Sequence, residues 1–389
     1  MKISEIRVVD LDIPRPRPKT KPRRPGWLRN VQRAAPLSKY PEFTNPGAWH
    51  PGTNESPVWI QVLAEDGTWG LGMCGFGSHT SQVVEQVFAP LLQGRDCMAI
   101  EFLNDLMWRS VQRLGAEGQA TIARSGVDLA LWDLKGKLLD VPVYRLLGGP
   151  CRDELSLYVT SDDLDWAMEL GFTSFKLSNP AHYDSGIVGL NQLEDHVAKA
   201  RETIGPAREL MLNPIMAYNV EFAVQVAERL RPYQMRWLEE PLIPGDIRGH
   251  TELRRAIPWM PLATGEDHHG RHAFLPLIEN RAVDILQPDL CWCGGLSEAI
   301  KIYSIAEAAG LQTILHLGGS TPFGQHFSLA MPEAPIAEIW LGSDPGVPLD
   351  EVNDIPGMAL PEGGRVIPSD APGFGLEVSP ESIVPRRRN

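Results

Sequence analysis

The sequence is short of cysteine and has no long apolar run. Its five cysteines are an odd number among 389 residues, and the C-W-C spacing of Cys291 and Cys293 matches neither a zinc knuckle nor a redox pair. No apolar stretch reaches the roughly 18 residues that a membrane span needs. The opening MKISEIRVVDLDI alternates like a strand and lacks the apolar core of a signal peptide. We therefore expect reduced thiols, a cytoplasmic location and no membrane partner.

Positive charge is also scarce. The chain has 36 Lys and Arg against 49 Asp and Glu, for a net charge of −13. Nucleic-acid binding requires basic side chains that neutralise phosphates, so we expect no nucleic-acid partner. One segment differs, because residues 14–30 (PRPRPKTKPRRPGWLRN) place many cations on a proline-stiffened stretch. This segment is either a solvated loop or a cationic flap that attracts an anionic substrate.

From residue 155 onward, short apolar or β-branched runs alternate with segments long enough for helices. The runs lie near residues 155–160, 173–177, 209–213, 235–239, 260–264, 283–287, 312–316 and 336–340. Strands that alternate with helices pair in parallel, and about eight such units favour an α/β fold with a closed (β/α) barrel, a modified TIM barrel. Polar residues at the C-terminal ends of barrel strands meet at one mouth, where we expect the functional site.

Three consecutive runs end in an oxygen-bearing side chain. Asn213 ends LMLN, Glu239 lies in MRWLEE and Glu266 ends LATGE, each about one strand–helix unit from the next. A hard cation such as Mg²⁺ binds oxygen ligands held by a rigid frame, so these residues are candidate metal ligands. Asn213 offers only a neutral carbonyl oxygen, which predicts a less anionic and weaker site.

The next two runs supply a candidate base. Asp289 lies in QPD and His316 in TILHLGG. A carboxylate that hydrogen-bonds one imidazole nitrogen fixes the tautomer and raises the basicity of the other nitrogen. His268 and His269 in GEDHHG follow a metal candidate directly, and they either polarise the substrate or leaving group or form hydrogen bonds around the site.

Motifs along nearly the whole chain resemble the mandelate racemase subgroup of the enolase superfamily. They are VDLALWDLKGKLLDVPVYRLLGG at 127–149, WLEEP at 237–241, GED at 265–267, QPD at 287–289, GGL at 294–296 and IPSDAPGFGLEV at 367–378. Within the subgroup, the greatest similarity is to the L-rhamnonate dehydratases. It rests on SKYPEF at 38–43, GEDHHG at 265–270 and QPDLCWCGGL at 287–296.

The resemblance implies a barrel capped by an α+β domain. We expect the N-terminal part of the cap at 1–125, the barrel at 126–344 and a C-terminal segment that packs on the cap at 345–389. The resemblance also implies Mg²⁺ as cofactor, with Asn213 where the family typically has Asp. Family members commonly form rings with an even number of subunits, so we expect a homo-oligomer of that kind, for example an octamer.

Loops of the cap close over the substrate in this family. The expected substrate contacts are therefore Arg29, Trp49 and His50, with His269 and Ser178 from the barrel. GEDHHG holds one residue more than the GEHHG typical of rhamnonate dehydratases. Its Asp267 either restores part of the charge missing at Asn213 or reshapes the sugar pocket.

The segment Lys176-Leu177-Ser178 favours dehydration. Racemases and epimerases of the superfamily often carry Lys-x-Lys here, because they need a base on each face of the α-carbon. Elimination needs one base and one acid, and a single imidazole can supply both. We predict that His316 removes the proton beside an acid-sugar carboxylate and protonates the departing hydroxyl, while Lys176, Mg²⁺ and His268 assist. The product would be a 2-keto-3-deoxy sugar acid.

Alternative functions stay open at this point. L-Rhamnonate is the first choice of substrate, with L-lyxonate and L-mannonate next. A sugar-acid epimerase or cycloisomerase would use Ser178 or a cap residue in place of the second lysine. A homologue that has lost its metal through the change at Asn213 would only bind a ligand.

Overall fold

An antiparallel sheet forms one part of the computed structural model, which describes residues 1–14, 16–29, 31–43, 57–75 and 77–386. Its first three strands are β1 (Ile3–Leu11), β2 (Val58–Ala64) and β3 (Trp69–Cys74). They pair in the order β1-β2-β3, and the turn before β3 places Gly67 at a φ of 89°. Glycine adopts this left-handed conformation without steric cost, which explains the tight hairpin.

Helices cover one side of this sheet. They are α1 (Gly77–Val83), α2 (Ala89–Leu92), α3 (Ile100–Ser110) and α4 (Gln119–Leu139). Helix α4 approaches β3 so closely that a Cβ on Gly72 would lie 2.1 Å from the carbonyl oxygen of Gly126. The expected domain boundary at 125/126 falls inside α4.

Eight parallel strands form the second sheet. They are β4 (Leu155–Thr160), β5 (Ser174–Ser178), β6 (Glu209–Asn213), β7 (Leu238–Glu239), β8 (Leu262–Thr264), β9 (Ile285–Leu286), β10 (Gln312–Thr313) and β11 (Ala337–Trp340). Their order is β10-β9-β8-β7-β6-β5-β4-β11. Each of these strands lies within one of the eight apolar runs predicted from the sequence, except that β5 extends one residue beyond its run. The prediction of an α/β barrel with an α+β cap is confirmed.

Helices alternate with these strands, as parallel pairing requires. They are α5 (Val143–Leu146), α6 (Leu164–Glu169), α7 (Gly186–Ile204), α8 (Val220–Leu230), α9 (Ile247–Ala256), α10 (Arg271–Glu279), α11 (Leu296–Ala308) and α12 (Pro322–Ala330). Inside the barrel, a buried layer fills the space below the mouth. It consists of Tyr158, Met211, Trp237, Ala263, Ile285, Ile314 and Ile336.

The C-terminal segment connects the two sheets. Strand β12 (Arg365–Val366) pairs with β4 of the barrel, and β13 (Ile383–Pro385) pairs with β1 of the cap. Between them, the backbone N–H of Phe374 donates to Asp133 of α4 at 2.9 Å. Within the described ranges, none of the helices is long and apolar enough to cross a membrane.

Candidate active site

His316 and Asp289 form a hydrogen-bonded pair at the barrel mouth. His316 Nδ1 lies 2.8 Å from Asp289 Oδ2, and the other oxygen of Asp289 accepts the backbone N–H of Cys291 at 2.6 Å. Because a carboxylate can only accept, Nδ1 carries the proton and Nε2 is left for chemistry. Burial alone would lower the pKa of His316, but the charge of Glu266 and the bond to Asp289 outweigh it and raise that pKa to about 10.

Glu239 is held by several donors at the end of β7. Trp237 Nε1 and Gln287 Nε2 each donate to its Oε2 at 2.9 Å, and Asn213 Nδ2 donates to its Oε1 at 3.0 Å. Lys176 also contacts Oε1. This number of donors fixes the carboxylate, which is 1% exposed, in one orientation.

Glu266 is a buried carboxyl group beside two other acidic side chains. Burial raises the pKa of its carboxyl group to about 7, and the charges of Asp267 and Glu239 act in the same direction, against His316 and Lys176. His316 Nε2 lies 3.8 Å from Glu266 Oε2, so the base and this carboxylate share one corner of the mouth.

The residues at these strand ends fit a divalent cation. Asn213 and Glu239 end β6 and β7, and Glu266 follows the end of the adjacent strand β8 by two residues. A cation at this point would offset the charge that raises the pKa of Glu266. Among the described residues, no three His, Cys, Asp or Glu side chains are grouped as a metal site. The amide oxygen of Asn213 accepts from the backbone N–H of Ile215 at 2.7 Å, and its part as a third ligand stays a prediction.

Glu338 is a functional candidate that the sequence reasoning missed. Its Oε1 lies 2.7 Å from Lys176 Nζ and accepts from Thr160 Oγ1 at 2.5 Å, and its Oε2 accepts from the Leu317 N–H at 3.0 Å. Burial opposes ionisation, but Lys176 and His316 lower the pKa of Glu338 to about 2. The available signal was a charged residue inside the apolar run 336–340, because a buried charge requires a partner.

Lys176 lies between two carboxylates inside the barrel. Burial lowers the pKa of its ammonium group, but Glu239 and Glu338 outweigh burial and raise the pKa above its usual value. The ammonium group also lies 5.5 Å from the centroid of the Tyr158 ring, in cation–π range. Lys176 is therefore a fixed positive charge at the mouth.

One cavity of about 810 Å³ contains most of the predicted site. It is lined by His316, Asp289, Lys176, Ser178, Asn213, Glu266, Asp267 and Glu338 of the barrel. The N-terminal segment adds Trp27, Leu28 and Arg33, and the cap adds Met73, Cys74 and Gly75. Trp27 also packs against Trp340, with ring centroids 4.9 Å apart, so one wall of the cavity is aromatic.

Two predicted histidines lie apart from this cavity. In the portion of the chain that the structure covers, neither His268 nor His269 is a lining residue. His268 is 3% exposed, with its ring 5.5 Å from Phe274. Burial lowers the pKa of His268 to about 3 and that of His269 to about 4, so both rings are neutral. The structure thus does not bring His268 to the reacting atoms, because its loop turns the ring into the core.

Of the three predicted cap contacts, the structure describes Arg29, which does not line the cavity. Arg29 points outward and pairs with Asp344 at 3.0 Å, while its neighbours Trp27 and Leu28 line the cavity. Trp49 and His50 lie outside the described residues. Prolines remove the helical register that would have indicated which side chain of this segment faces inward.

Several cations of the 14–30 segment are paired with the barrel. Arg23 contacts Glu169 at 2.8 Å, and Arg24 contacts Asp163 and Asp165. The backbone N–H groups of residues 19 and 20 donate to Glu351. These contacts hold the segment at the edge of the cavity, where it contributes apolar side chains.

Comparison with known proteins agrees with this geometry. Residues 45–148 match the mandelate racemase/muconate lactonizing enzyme N-terminal domain, and residues 162–382 match the enolase C-terminal domain-like family. An L-rhamnonate dehydratase of Saccharopolyspora erythraea is 38% identical over 354 residues, which cover 90% of each chain.

Solved structures are similar over almost the full length. The L-rhamnonate dehydratase of Gibberella zeae has a TM-score of 0.88 at 29% identity, and the rhamnonate dehydratase of the same organism complexed with Mg has a TM-score of 0.87 at 30% identity. Each comparison covers 99% of this chain and 96% of the other. The chain belongs to the mandelate racemase/muconate lactonizing enzyme family of the enolase superfamily.

Proposed function

We propose that this protein is a Mg²⁺-dependent hydro-lyase that dehydrates an acid sugar, with L-rhamnonate as the first candidate substrate. The observation that carries the proposal is the His316–Asp289 pair, which shares one cavity with Lys176, Glu338 and two of the candidate metal ligands, Asn213 and Glu266. The 38% identity to an L-rhamnonate dehydratase supports the choice of sugar.

His316 supplies the base and the acid of the elimination. The charge of Glu266 raises the pKa of His316, and a cation held by Glu266 would offset that charge and favour the neutral ring. The neutral Nε2 then takes the proton beside the substrate carboxylate, while Asp289 accepts from Nδ1–H and stabilises the imidazolium that forms. The protonated ring then gives its proton to the departing 3-hydroxyl group, which leaves as water. The enol product tautomerises to a 2-keto-3-deoxy acid.

Positive charge is needed because deprotonation beside a carboxylate produces two negative oxygens. When bound by Asn213, Glu239 and Glu266, Mg²⁺ supplies Lewis acidity toward the substrate carboxylate. Lys176 adds a fixed cation on the same side of the mouth, and it orients Glu239 and Glu338 through its two ion pairs. In this proposal His269, Arg29, Trp49 and His50 are not assigned to the chemistry, and His268 acts at most through its packing.

Ser178 distinguishes this proposal from epimerisation. An epimerase needs a second base opposite His316, and the side chain at that position is a hydroxyl group bound to Asp162. A family member that binds its ligand without chemistry is the other alternative, because Asn213 weakens the metal site. Incubation in D₂O separates these functions, since an epimerase returns deuterated substrate of inverted configuration and no keto acid.

The decisive experiment is a screen of acid sugars for keto-acid formation with and without Mg²⁺. L-Rhamnonate, L-lyxonate and L-mannonate belong in the panel, with the His316→Asn variant as control. We expect Mg²⁺-dependent product with the parent enzyme alone. Absence of product from every acid sugar, together with absence of Mg²⁺ binding by calorimetry, would overturn the proposal.

The proposal includes an assembly with an even number of identical subunits and a cytoplasmic location. The family resemblance supports the even number of subunits. Light scattering on the purified protein measures the subunit number, and an odd number or a monomer would contradict it.

A further inference from the structure

Ser178 is bound to a single carboxylate at the cavity wall. It is the last residue of β5, is 5% exposed and lines the cavity. Its hydroxyl group hydrogen-bonds Asp162 Oδ2, and its backbone N–H donates to Asp162 Oδ1 at 3.0 Å. The two bonds engage both oxygens of Asp162 and fix the rotamer of Ser178.

This arrangement determines what Ser178 offers to a ligand. An ionised carboxylate has no proton to donate, so the single hydroxyl proton of Ser178 points at Asp162. A ligand in the cavity that reaches this oxygen therefore meets lone pairs only. We propose that Ser178 accepts a hydrogen bond from one substrate hydroxyl group and so selects for a hydroxyl at that carbon, without acting as an acid or base. The inference rests on the proposed function, because it takes an acid sugar as the ligand.

The position of Ser178 places this contact away from the base. Strands β6 to β9 lie between β5 and β10, which precedes His316, so the two residues approach a ligand from different sides of the mouth. Ser178 pairs in register with Asn213 of β6, and Lys176 lies two residues earlier on the same face of β5. The hydroxyl contact is therefore adjacent to the candidate metal ligands.

Binding measurements without turnover test the inference. The background is His316→Asn, and calorimetry with Mg²⁺ compares L-rhamnonate with monodeoxy and deoxyfluoro analogues at carbons 2 to 5. Fluorine can accept a hydrogen bond but cannot donate one. At one carbon we expect the hydroxyl compound to bind roughly 3- to 10-fold tighter than its deoxy analogue, and the deoxyfluoro compound to bind no better than the deoxy one.

Two further variants identify the residue responsible. Ser178→Ala should abolish the preference at that carbon and leave the other carbons unchanged. Ser174→Ala is the matched control, because it removes a buried hydroxyl of the same strand that donates to Glu209 at 3.1 Å, and it should change nothing. The inference is overturned if the preference survives Ser178→Ala at every carbon. It is also overturned if, at the carbon whose preference Ser178→Ala removes, the deoxyfluoro analogue binds as tightly as the hydroxyl compound.

Failure of the proposed function gives a different result. If the parent enzyme binds sugar acids but forms no keto acid, dehydration is excluded while the hydroxyl preference still decides the role of Ser178. If no sugar acid binds, both the proposed function and the inference are overturned.

Discussion

Lys176 Nζ lies 2.7 Å from Glu338 Oε1 and joins the side chains of two strands that both pair with β4. Lys176→Met should reduce keto-acid formation at least 100-fold, since the fixed cation is lost. It should also destabilise the protein by about 3–5 kcal/mol, because two buried carboxylates lose their partner. Denaturant unfolding measures the second effect. The double variant Lys176→Met/Glu338→Gln should recover part of the stability and none of the activity. If the single variant Lys176→Met and the double variant are equally stable, the Lys176–Glu338 ion pair does not contribute as proposed.

His316→Asn should lower turnover about 1,000-fold or more, because no other described side chain in the mouth forms a comparable His–Asp pair. The circular dichroism spectrum and the Mg²⁺ affinity should stay close to those of the parent enzyme. His272→Asn is a suitable control, since this ring stacks on Trp108 at 5.4 Å and is not a cavity residue in the described structure. Activity retained in His316→Asn would exclude this residue as the base.

The raised pKa of His316 predicts a pH-dependent stability in metal-free protein. A group that binds its proton more tightly in the folded state stabilises fully below its unfolded pKa of 6.5, and this stabilisation is lost as pH rises toward about 10. The melting temperature of the parent protein minus that of His316→Asn should therefore be largest near pH 6 and shrink toward pH 10, by about a few degrees. If the difference in melting temperature does not depend on pH between pH 6 and pH 10, the pKa of His316 is not raised in the folded protein.

Asn213→Asp should tighten Mg²⁺ binding by about tenfold, because a carboxylate replaces a neutral amide oxygen among the ligands. Calorimetry of the parent and the variant measures this effect. Asn219→Asp provides the control, as it adds the same charge at the N-cap of α8, where the side chain accepts from Phe222 N–H. Equal gains in Mg²⁺ affinity from both substitutions would indicate a general charge effect. If Asn213→Asp does not raise the Mg²⁺ affinity, residue 213 is not a metal ligand.

The sequence predicts the barrel and most of the mouth, because strand ends are marked by polar residues that follow apolar runs. Asn213, Glu239, Glu266 and His316 all satisfy this rule, and Asp289 satisfies it within its loop. Glu338 does not, since it lies inside β11, and only its partners Lys176 and Thr160 explain why a charge is tolerated there.

Side chains in loops were predicted less well than those on strands. A strand fixes the direction of each side chain by its two-residue period, whereas a loop carries no such period. His268 therefore turns into the core and Arg29 turns to the surface, although both lie next to residues that border the site. The partnership of Ser178 with Asp162 depends on the loop after β4, which no local pattern indicates.

Strand β13 pairs with β1 although more than 370 residues separate them, as in the match of Leu11 with Ile383. During synthesis, β1 and β2 emerge before the barrel, and β13 emerges only after the whole barrel has left the ribosome. One edge of the cap sheet thus stays open while the barrel is being translated, and the nascent protein exposes an unpaired edge strand during that time.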